Sequence, residues 1–398
     1  MNFIKVFWAG LTMKPQGFTL VIAGFLPTLA IIAMFPIVAS MIDHFSEVKN
    51  VAIKVPAMVT SPGFAIAILA PFAGYFADKV GRRKLLLWST FFYGIIGASP
   101  FLMTDLDHVI GSRILLGVCE AGILTGVNTL IADYWDDKGR RNWLMLQGFQ
   151  GPVLQPLVIL MVGFSASFQW SAGFLIYLIA IPIFIAMFYS IKEPTSQNLL
   201  PESSGTIETN SSFPWRIAVL ICSVTLLISI IYFVQIVFGS LSWQRIGVSD
   251  AMQISKYTAI PVLFVVVGAV IFRLVSSFST AAQLSVVFII FAVGLGIIAV
   301  ANTPFQMQAG FAIQQTAGGM AVPTLIAWAQ SKYSFEHRGR GLGLWTSSFF
   351  LGQAISPILM SNINLAFGSV TGAYIFSSTL CAAVVLILFV ILIASRKQ

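Results

Sequence analysis

The feature that most constrains this chain is a series of apolar segments, each about as long as a helix that crosses a bilayer, roughly 20 residues. Six of them precede a polar stretch and six follow it. The first six lie near residues 17–41, 56–77, 85–103, 109–133, 143–165 and 171–191. The second six lie near residues 214–238, 252–272, 283–301, 305–329, 341–362 and 371–394. The sequence therefore predicts an all-α integral membrane protein with twelve transmembrane helices.

The composition excludes a soluble fold and with it the catalysis of a soluble domain. Hydrophobic residues make up 58% of the 398 residues and charged residues only 9%, whereas a soluble domain has about a quarter charged residues. The three cysteines have no CxxC spacing and the three histidines do not cluster. We therefore expect no disulfide framework, no metal site and no cofactor. The first apolar segment is too long for the h-region of a signal peptide and predicts an uncleaved span.

The distribution of basic residues predicts the orientation in the membrane. If both termini are cytoplasmic, most of the 22 Lys and Arg residues lie on the cytoplasmic side, as the positive-inside rule expects. The formal charge of +8 is then explained by the orientation of the chain in the membrane, and no nucleic-acid partner is expected. We expect a multi-pass protein of the inner (plasma) membrane, with the lipid bilayer as its surroundings. The basic residues that this orientation does not place on the cytoplasmic side are Lys49, Lys54, Arg113, Arg245 and Lys256.

The two halves of the chain resemble each other. A basic Gly-Arg loop precedes an apolar segment at 134–156 and again at 333–357. Such repeats, with a cavity between them, allow alternating access when one half rocks against the other. We predict an N-terminal bundle at 1–191, a cytoplasmic linker at 192–213 and a C-terminal bundle at 214–398. Both repeats contain Gly and Pro five residues apart, and the predicted helix-bend residues are Gly151, Pro152, Pro156, Gly352 and Pro357.

The loop between the second and third spans reads GYFADKVGRRK at 74–84. It is similar to the loop signature of the major facilitator superfamily, and the span count, linker and repeats extend the resemblance over the whole chain. The resemblance implies two six-helix bundles around a central cavity, a small-molecule substrate and a monomer. Glycines allow close helix approach or a tight turn, and charges at the helix ends can hold one conformation of the two halves. The predicted conformational latch comprises Gly74, Asp78, Gly81, Arg82 and Asp133.

The fourth span contains two charged residues, Arg113 and Glu120, seven apart and thus on one helical face. A charge near the bilayer centre costs at least about 2.5–3.5 kcal/mol unless it is paired or faces a cavity. Every other acid lies in a loop or near a membrane face, so Glu120 is the predicted proton carrier, with Arg113 as its partner. We expect both to face a wet cavity. The alternative is a structural role for the pair in helix packing.

Two further resemblances point in opposite directions. The pair in the fourth span is similar to one in anion:cation symporters, which import organic anions, but the first span lacks the Arg that is usual there. The fifth span, GFQGPVLQP at 148–156, resembles the Gly-Pro motif of proton-coupled exporters, although only Gly151 and Pro152 match closely. Neither motif determines the direction of transport.

Polar and aromatic residues within the spans suit an apolar cavity with few polar anchors, which favours amphipathic substrates. The predicted cavity residues are Thr28, Tyr232, Gln235, Gln314 and Gln315. We expect a proton-coupled exporter of small amphipathic molecules such as drugs, metabolites or a siderophore, with protons as the coupling ion. The alternatives are a proton-coupled importer of organic anions and a transporter-like receptor or membrane enzyme. No nucleotide loop or nucleophile–base arrangement supports an enzyme.

Overall fold

A computed structural model of the chain describes residues 14–72, 77, 79–193, 213–333 and 335–395. The latch residues Gly74 and Asp78 lie outside these ranges, and so does most of the linker at 192–213. Helices account for most of the described residues, and no strand occurs among them. The prediction of an all-α fold is therefore confirmed.

The first half begins with a span built from three short helices and continues with longer ones. Short 3₁₀ segments follow the second and third spans at Ala70–Phe72 and Ser99–Leu102, and another opens the sixth at Trp170–Ile179. The α-helices are α1 (Lys14–Ala23), α2 (Leu26–Ile32), α3 (Val38–His44), α4 (Val51–Leu69), α5 (Arg82–Ala98), α6 (Leu106–Tyr134), α7 (Asp137–Ala166) and α8 (Ala180–Ser190).

The second half contains one interrupted span, the eighth, and five continuous helices. Its helices are α9 (Trp215–Arg245), α10 (Ala251–Val262), α11 (Val265–Leu274), α12 (Thr280–Val300), α13 (Pro304–Lys332), α14 (Phe335–Phe367) and α15 (Thr371–Ser395). Several helices are longer than the sequence predicted, because their polar ends continue beyond the apolar segment.

Eleven helical segments in the described part of the chain are long and apolar enough to cross a membrane. The predicted tenth span, α13, is not among them, although its 29 residues would extend about 43 Å. Glutamine and glycine residues lower its hydropathy, and many of them are buried. Helix α13 packs against α9, α10, α11, α12 and α14, so protein rather than lipid surrounds much of it.

Prolines lie beside the breaks in the first and eighth spans, because a proline lacks the N–H that a helix interior requires. Pro27 lies in the first turn of α2, and the turn at 33–37 before α3 contains Pro36. Pro261 lies in the last turn of α10, next to the turn between α10 and α11. Helices α7 and α14 instead continue through the predicted helix-bend residues Gly151, Pro152, Pro156, Gly352 and Pro357.

Side-chain caps fix several helix starts. Asp105 accepts hydrogen bonds from the backbone N–H groups of Asp107 and His108 at the start of α6. These bonds lower the pKa of the Asp105 carboxyl, that of His108 contributing most. Asp136 and Asp250 cap α7 and α10 in the same way. The capping residues therefore determine where the chain leaves a loop and becomes helical.

Buried apolar side chains form two large clusters, one in each half of the chain. The first lies within residues 20–191 and includes one residue of the second half, Ala251. The second lies within residues 228–381 and includes one residue of the first half, Phe35. The halves meet where α4 packs on α14, α7 on α10 and α3 on α9. Each half thus has its own core, and the surface between them is free to form a cavity.

Candidate functional site

A central cavity of about 210 Å³ lies between the two halves. Spans from both halves line it, with Leu124 and Ile159 on one side and Val262 and Val322 on the other. No charged side chain occurs among its described lining residues. Four of the five predicted cavity residues line it, namely Thr28, Tyr232, Gln235 and Gln315.

The fifth predicted cavity residue, Gln314, lies behind the cavity wall and is fully buried. Its Nε2 donates to the backbone carbonyl of Tyr232 at 3.1 Å. The neighbouring Gln315 points the other way, and its Nε2 donates to Oε1 of Gln235 at 2.9 Å. Adjacent residues of a helix face different directions, which is why only one of the two reaches the cavity.

Sequence reasoning missed the contribution of the eleventh span. Phe349, Phe350 and Gln353 on α14 line the cavity, together with Gln155 on α7. Residues 349 and 353 are one helical turn apart and share a face. The spacing of aromatic and amide residues along this otherwise apolar helix is the signal that could have identified them.

A second cavity of about 160 Å³ lies beside the first and shares Leu124 with it. Helices α4, α6 and α14 line it through residues such as Asn128 and Thr346. Asn128 lies near the end of α6, and Thr346 lies about three turns from the start of α14. The second cavity therefore extends from the central one towards the end of the bundle at which α6 ends and α14 begins.

That end of the bundle, the basic face, carries clustered positive side chains. Arg82 at the start of α5 pairs with Asp133 at the end of α6, and both are residues of the predicted latch. Both residues belong to the first half, so this ion pair does not itself join the two halves. Gly81 precedes α5 with a φ of +94°, a conformation that favours glycine.

The basic face also holds the chain segment that follows the sixth span. Arg83 Nε donates to the carbonyl of Ile191 at 2.7 Å, and its Nη2 donates to that of Phe188 at 2.9 Å. The Arg83 backbone N–H donates to Oε2 of Glu193 at 3.1 Å. This carboxylate thus lies at the N-terminus of α5, where the helix dipole favours negative charge.

The opposite end of the bundle, the distal face, is closed by contacts between the halves. Ser361 Oγ on α14 donates to the carbonyl of Ala52 on α4 at 3.1 Å. Gln244 Nε2 on α9 donates to Oδ2 of Asp43 on α3 at 3.2 Å. Closer to the cavity, the ring of Phe35 packs edge-on against Phe311 at 6.2 Å between centroids. The central cavity is therefore separated from the distal face.

Arg113 and Glu120 are the two charged residues that are buried in the described part of the chain. The Arg113 Nη2 donates to the carbonyl of Gly97 at 2.7 Å. The Arg113 guanidinium carbon lies 5.0 Å from the ring centroid of Phe174 and 4.8 Å from that of Tyr177. Arg113 is thus held by the third and sixth spans of its own half.

Glu120 is fully buried, and neither carboxylate oxygen has a hydrogen-bond partner among the described residues. Neither Glu120 nor Arg113 lines the two cavities described above. The structure thus differs from the expectation that both face a wet cavity. The side chains are enclosed by neighbouring spans of the first half in this conformation.

No group of three or more His, Cys, Asp or Glu side chains in the described ranges is arranged to hold a metal ion. The geometry instead combines two helical halves, a cavity between them, and a seal at one membrane face. Membrane proteins with this arrangement move solutes by alternating access. The fold and the cavity therefore define a transporter rather than an enzyme.

The sequence profile of the Major Facilitator Superfamily matches residues 20–281 and 246–398. The chain belongs to this family. Over 337 residues it is 23% identical to the sialic acid transporter NanX of Escherichia coli K12. This aligned region covers 80% of this chain and 80% of NanX. It is 28% identical to the multidrug export protein EmrB of the same organism over 130 residues, or 33% of this chain and 25% of EmrB. The chain thus matches only a quarter of EmrB.

The structure is similar to that of a bacterial homologue of the human lysosomal transporter Spinster in an inward-facing, unoccupied conformation. The TM-score is 0.72, with 16% identity and 95% of each chain covered. At this identity the similarity concerns the fold alone. The predicted twelve-span fold of the major facilitator type is therefore confirmed.

Proposed function

We propose that this protein is a proton-coupled secondary active transporter that exports small amphipathic molecules by alternating access. The observation that carries the proposal is the central cavity, which both halves line with aromatic rings, apolar side chains and neutral amides. With no charged side chain among its described lining residues, the cavity matches an uncharged or weakly polar substrate better than an ion.

We assign the basic face to the cytoplasm, because Arg82, Arg83, Arg140 and Arg340 lie at helix ends there. Together with the contacts that close the distal face, this assignment favours an inward-facing conformation, although the 3₁₀ segment Ala70–Phe72 also packs on α14 at the basic end. The second cavity then lies between the central cavity and the cytoplasmic side, from which an exporter takes up its substrate.

Glu120 is proposed as the proton carrier, because it is the buried carboxylate of the described residues and has no partner that fixes its charge. Since Glu120 lies outside the central cavity, its protonation would act on the packing of the first half rather than by direct contact with substrate. Arg113 would support this site by fixing the third and sixth spans around it.

Import of organic anions is the second candidate, and the similarity to NanX over 80% of both chains favours it. The lining of the central cavity is evidence against anion import, because neither Arg113 nor any other cationic side chain of the described residues lines the cavity. An anion would then be desolvated without a charged partner, which is costly.

Purified protein in liposomes with an imposed pH gradient tests the proposal. Radiolabelled uncharged, cationic and carboxylate probes of similar size should be compared, with a protonophore as the control. We expect the uncharged amphipathic probe to move against its gradient, in the direction opposite to proton flow. Flux of carboxylates alone, in the same direction as protons, would support the second candidate instead. Absence of gradient-driven flux for all three classes would contradict both.

A further inference from the structure

One side chain of the central cavity lacks the hydrogen bonds that its burial demands. Gln353 on α14 lines the cavity and is fully buried. Neither its Nε2 nor its Oε1 has a hydrogen-bond partner among the described residues. A buried amide without partners is unfavourable, and most buried polar groups in folded proteins are paired.

The other buried amides of this region behave differently. Gln315 and Gln235 bond to each other at 2.9 Å, and Gln314 bonds to a backbone carbonyl at 3.1 Å. Those side chains are at least partly satisfied within the protein, whereas Gln353 is left with both a donor and an acceptor. Among the buried amides of the described cavity lining, Gln353 is therefore the one with neither its donor nor its acceptor paired.

The surroundings of Gln353 restrict what could pair with it. On one side lies Gly63 of α4, where an added Cβ would come within 2.9 Å of the Gln353 side-chain carbonyl carbon. One turn earlier on α14 lies Phe349, whose ring is stacked on Trp345 at 5.7 Å and 19°. The Gln353 side chain thus packs against the backbone of α4, and Phe349 lines the same cavity, which has no charged group among its described lining residues.

We propose that Gln353 is the specificity-determining anchor for substrates that carry an uncharged amide-like edge on a planar apolar body. A primary amide offers a donor and an acceptor side by side, so a carboxamide, a lactam or an amino-substituted heterocycle can satisfy both at once. The adjacent Phe349 ring can stack on the planar part of such a molecule. This inference rests on the proposed function, since it concerns the substrate of the same cavity.

Binding to the purified full-length protein in nanodiscs tests the proposal with a matched set of probes. Benzamide has both a donor and an acceptor, N,N-dimethylbenzamide has only an acceptor, and benzoate is an anion of similar size. We expect the wild type to bind benzamide at least about tenfold more tightly than either of the others, which corresponds to about 1.4 kcal/mol. Equal binding of benzamide and its dimethyl analogue, or preference for benzoate, would overturn the assignment.

The variant Gln353→Met keeps the length of the side chain and removes both hydrogen-bonding groups. It should abolish the preference for benzamide without lowering the unfolding temperature of the ligand-free protein, because the amide has no partner to lose. Gln353→Glu is the second variant: it keeps the acceptors, loses the donor and should also lose the preference. Gln150→Met is the control, since the Oε1 of Gln150 also lacks a partner but its side chain does not line either cavity.

A wild-type preference that survives in both Gln353 variants would contradict the role of this residue. So would a large fall in the unfolding temperature of Gln353→Met, which would indicate structural partners. Transport measured in parallel separates this inference from the proposed function. If uncharged probes are exported without any preference for the amide, only the anchor is refuted. If no probe is transported, the proposed function fails as well.

Discussion

Arg113 and Glu120 share one face of α6, yet they do not form an ion pair. Arg113 donates to the carbonyl of Gly97 and contacts the rings of both Phe174 and Tyr177. Glu120 has no partner for either carboxylate oxygen among the described residues. The cation is therefore fixed by packing while the carboxylate is not, and the two residues should respond differently to substitution.

Glu120→Gln should abolish uphill transport driven by a pH gradient while substrate exchange continues, because exchange requires no net proton movement. The unfolding temperature should not fall, since the carboxylate loses no hydrogen bond. Proteoliposome flux with and without a pH gradient measures the first effect. Glu47→Gln, in the exposed distal loop, is the matched control and should behave as wild type. Full proton-driven flux in Glu120→Gln would leave Glu120 with a packing role only.

Arg113→Met should lower the free energy of unfolding by about 3 kcal/mol, because it removes a charged hydrogen bond and two buried cation–π contacts. Thermal or denaturant unfolding in detergent gives this value. The double variant with Glu120→Gln should show a coupling free energy of about 1–2 kcal/mol, because the side chains are not in contact but two buried charges two helical turns apart still interact through space. A coupling of several kcal/mol would mean that the two charges do pair in solution.

The fold was predictable because the bilayer imposes a length and a composition on every span. Arg113 and Glu120 were also recognisable, since charged residues are conspicuous in an apolar helix. Their environment was not predictable, because helical periodicity gives the face of a residue but not which neighbouring span covers that face. The sequence therefore indicated a cavity around Arg113 where the structure has the aromatic rings of the sixth span.

The same limit of helical periodicity explains why the sequence placed Gln314 in the cavity and did not identify Gln353. Gln314 and Gln315 are adjacent in a polar part of α13, and only the packing of α13 against α9 determines which of them reaches the cavity. Gln353 escaped notice because a single glutamine within a span is usually a partner for another helix. Its lack of partners is a property of three-dimensional packing that no sequence pattern records.

The orientation can be tested by cysteine labelling. Ser204 lies in the predicted cytoplasmic linker, and Ser46 lies in the first distal loop, so cysteines at these positions should be on opposite sides of the membrane. In a background without Cys119, Cys222 and Cys381, an impermeant thiol reagent added to intact cells should label position 46 and not position 204. Labelling of position 204 from outside would reverse the assignment of the basic face to the cytoplasm.

Alternating access can be tested by cross-linking at the two ends of the bundle. Ala52 and Ser361 are in contact at the distal face, whereas Asn128 and Thr346 line the second cavity. Cysteines at 52 and 361 should therefore cross-link in the conformation described here and block transport. Cysteines at 128 and 346 face the same small cavity, and their cross-linking yield should rise when the halves rock to close the basic face, so the change in yield reports the outward-facing population.

The predicted latch can be tested by its effect on the yields of these two cross-links. Asp78→Asn removes a charge from the loop signature, and we expect fewer cross-links between 128 and 346 and more between 52 and 361. Transport should fall severalfold while expression stays near the wild-type level. Asp136→Asn is the control, because Asp136 lies at the same face but its carboxylate caps α7. If Asp78→Asn changes neither yield nor rate, the charges of the loop serve only to orient the chain, and the closed basic face must be held by apolar contacts between α4 and α14.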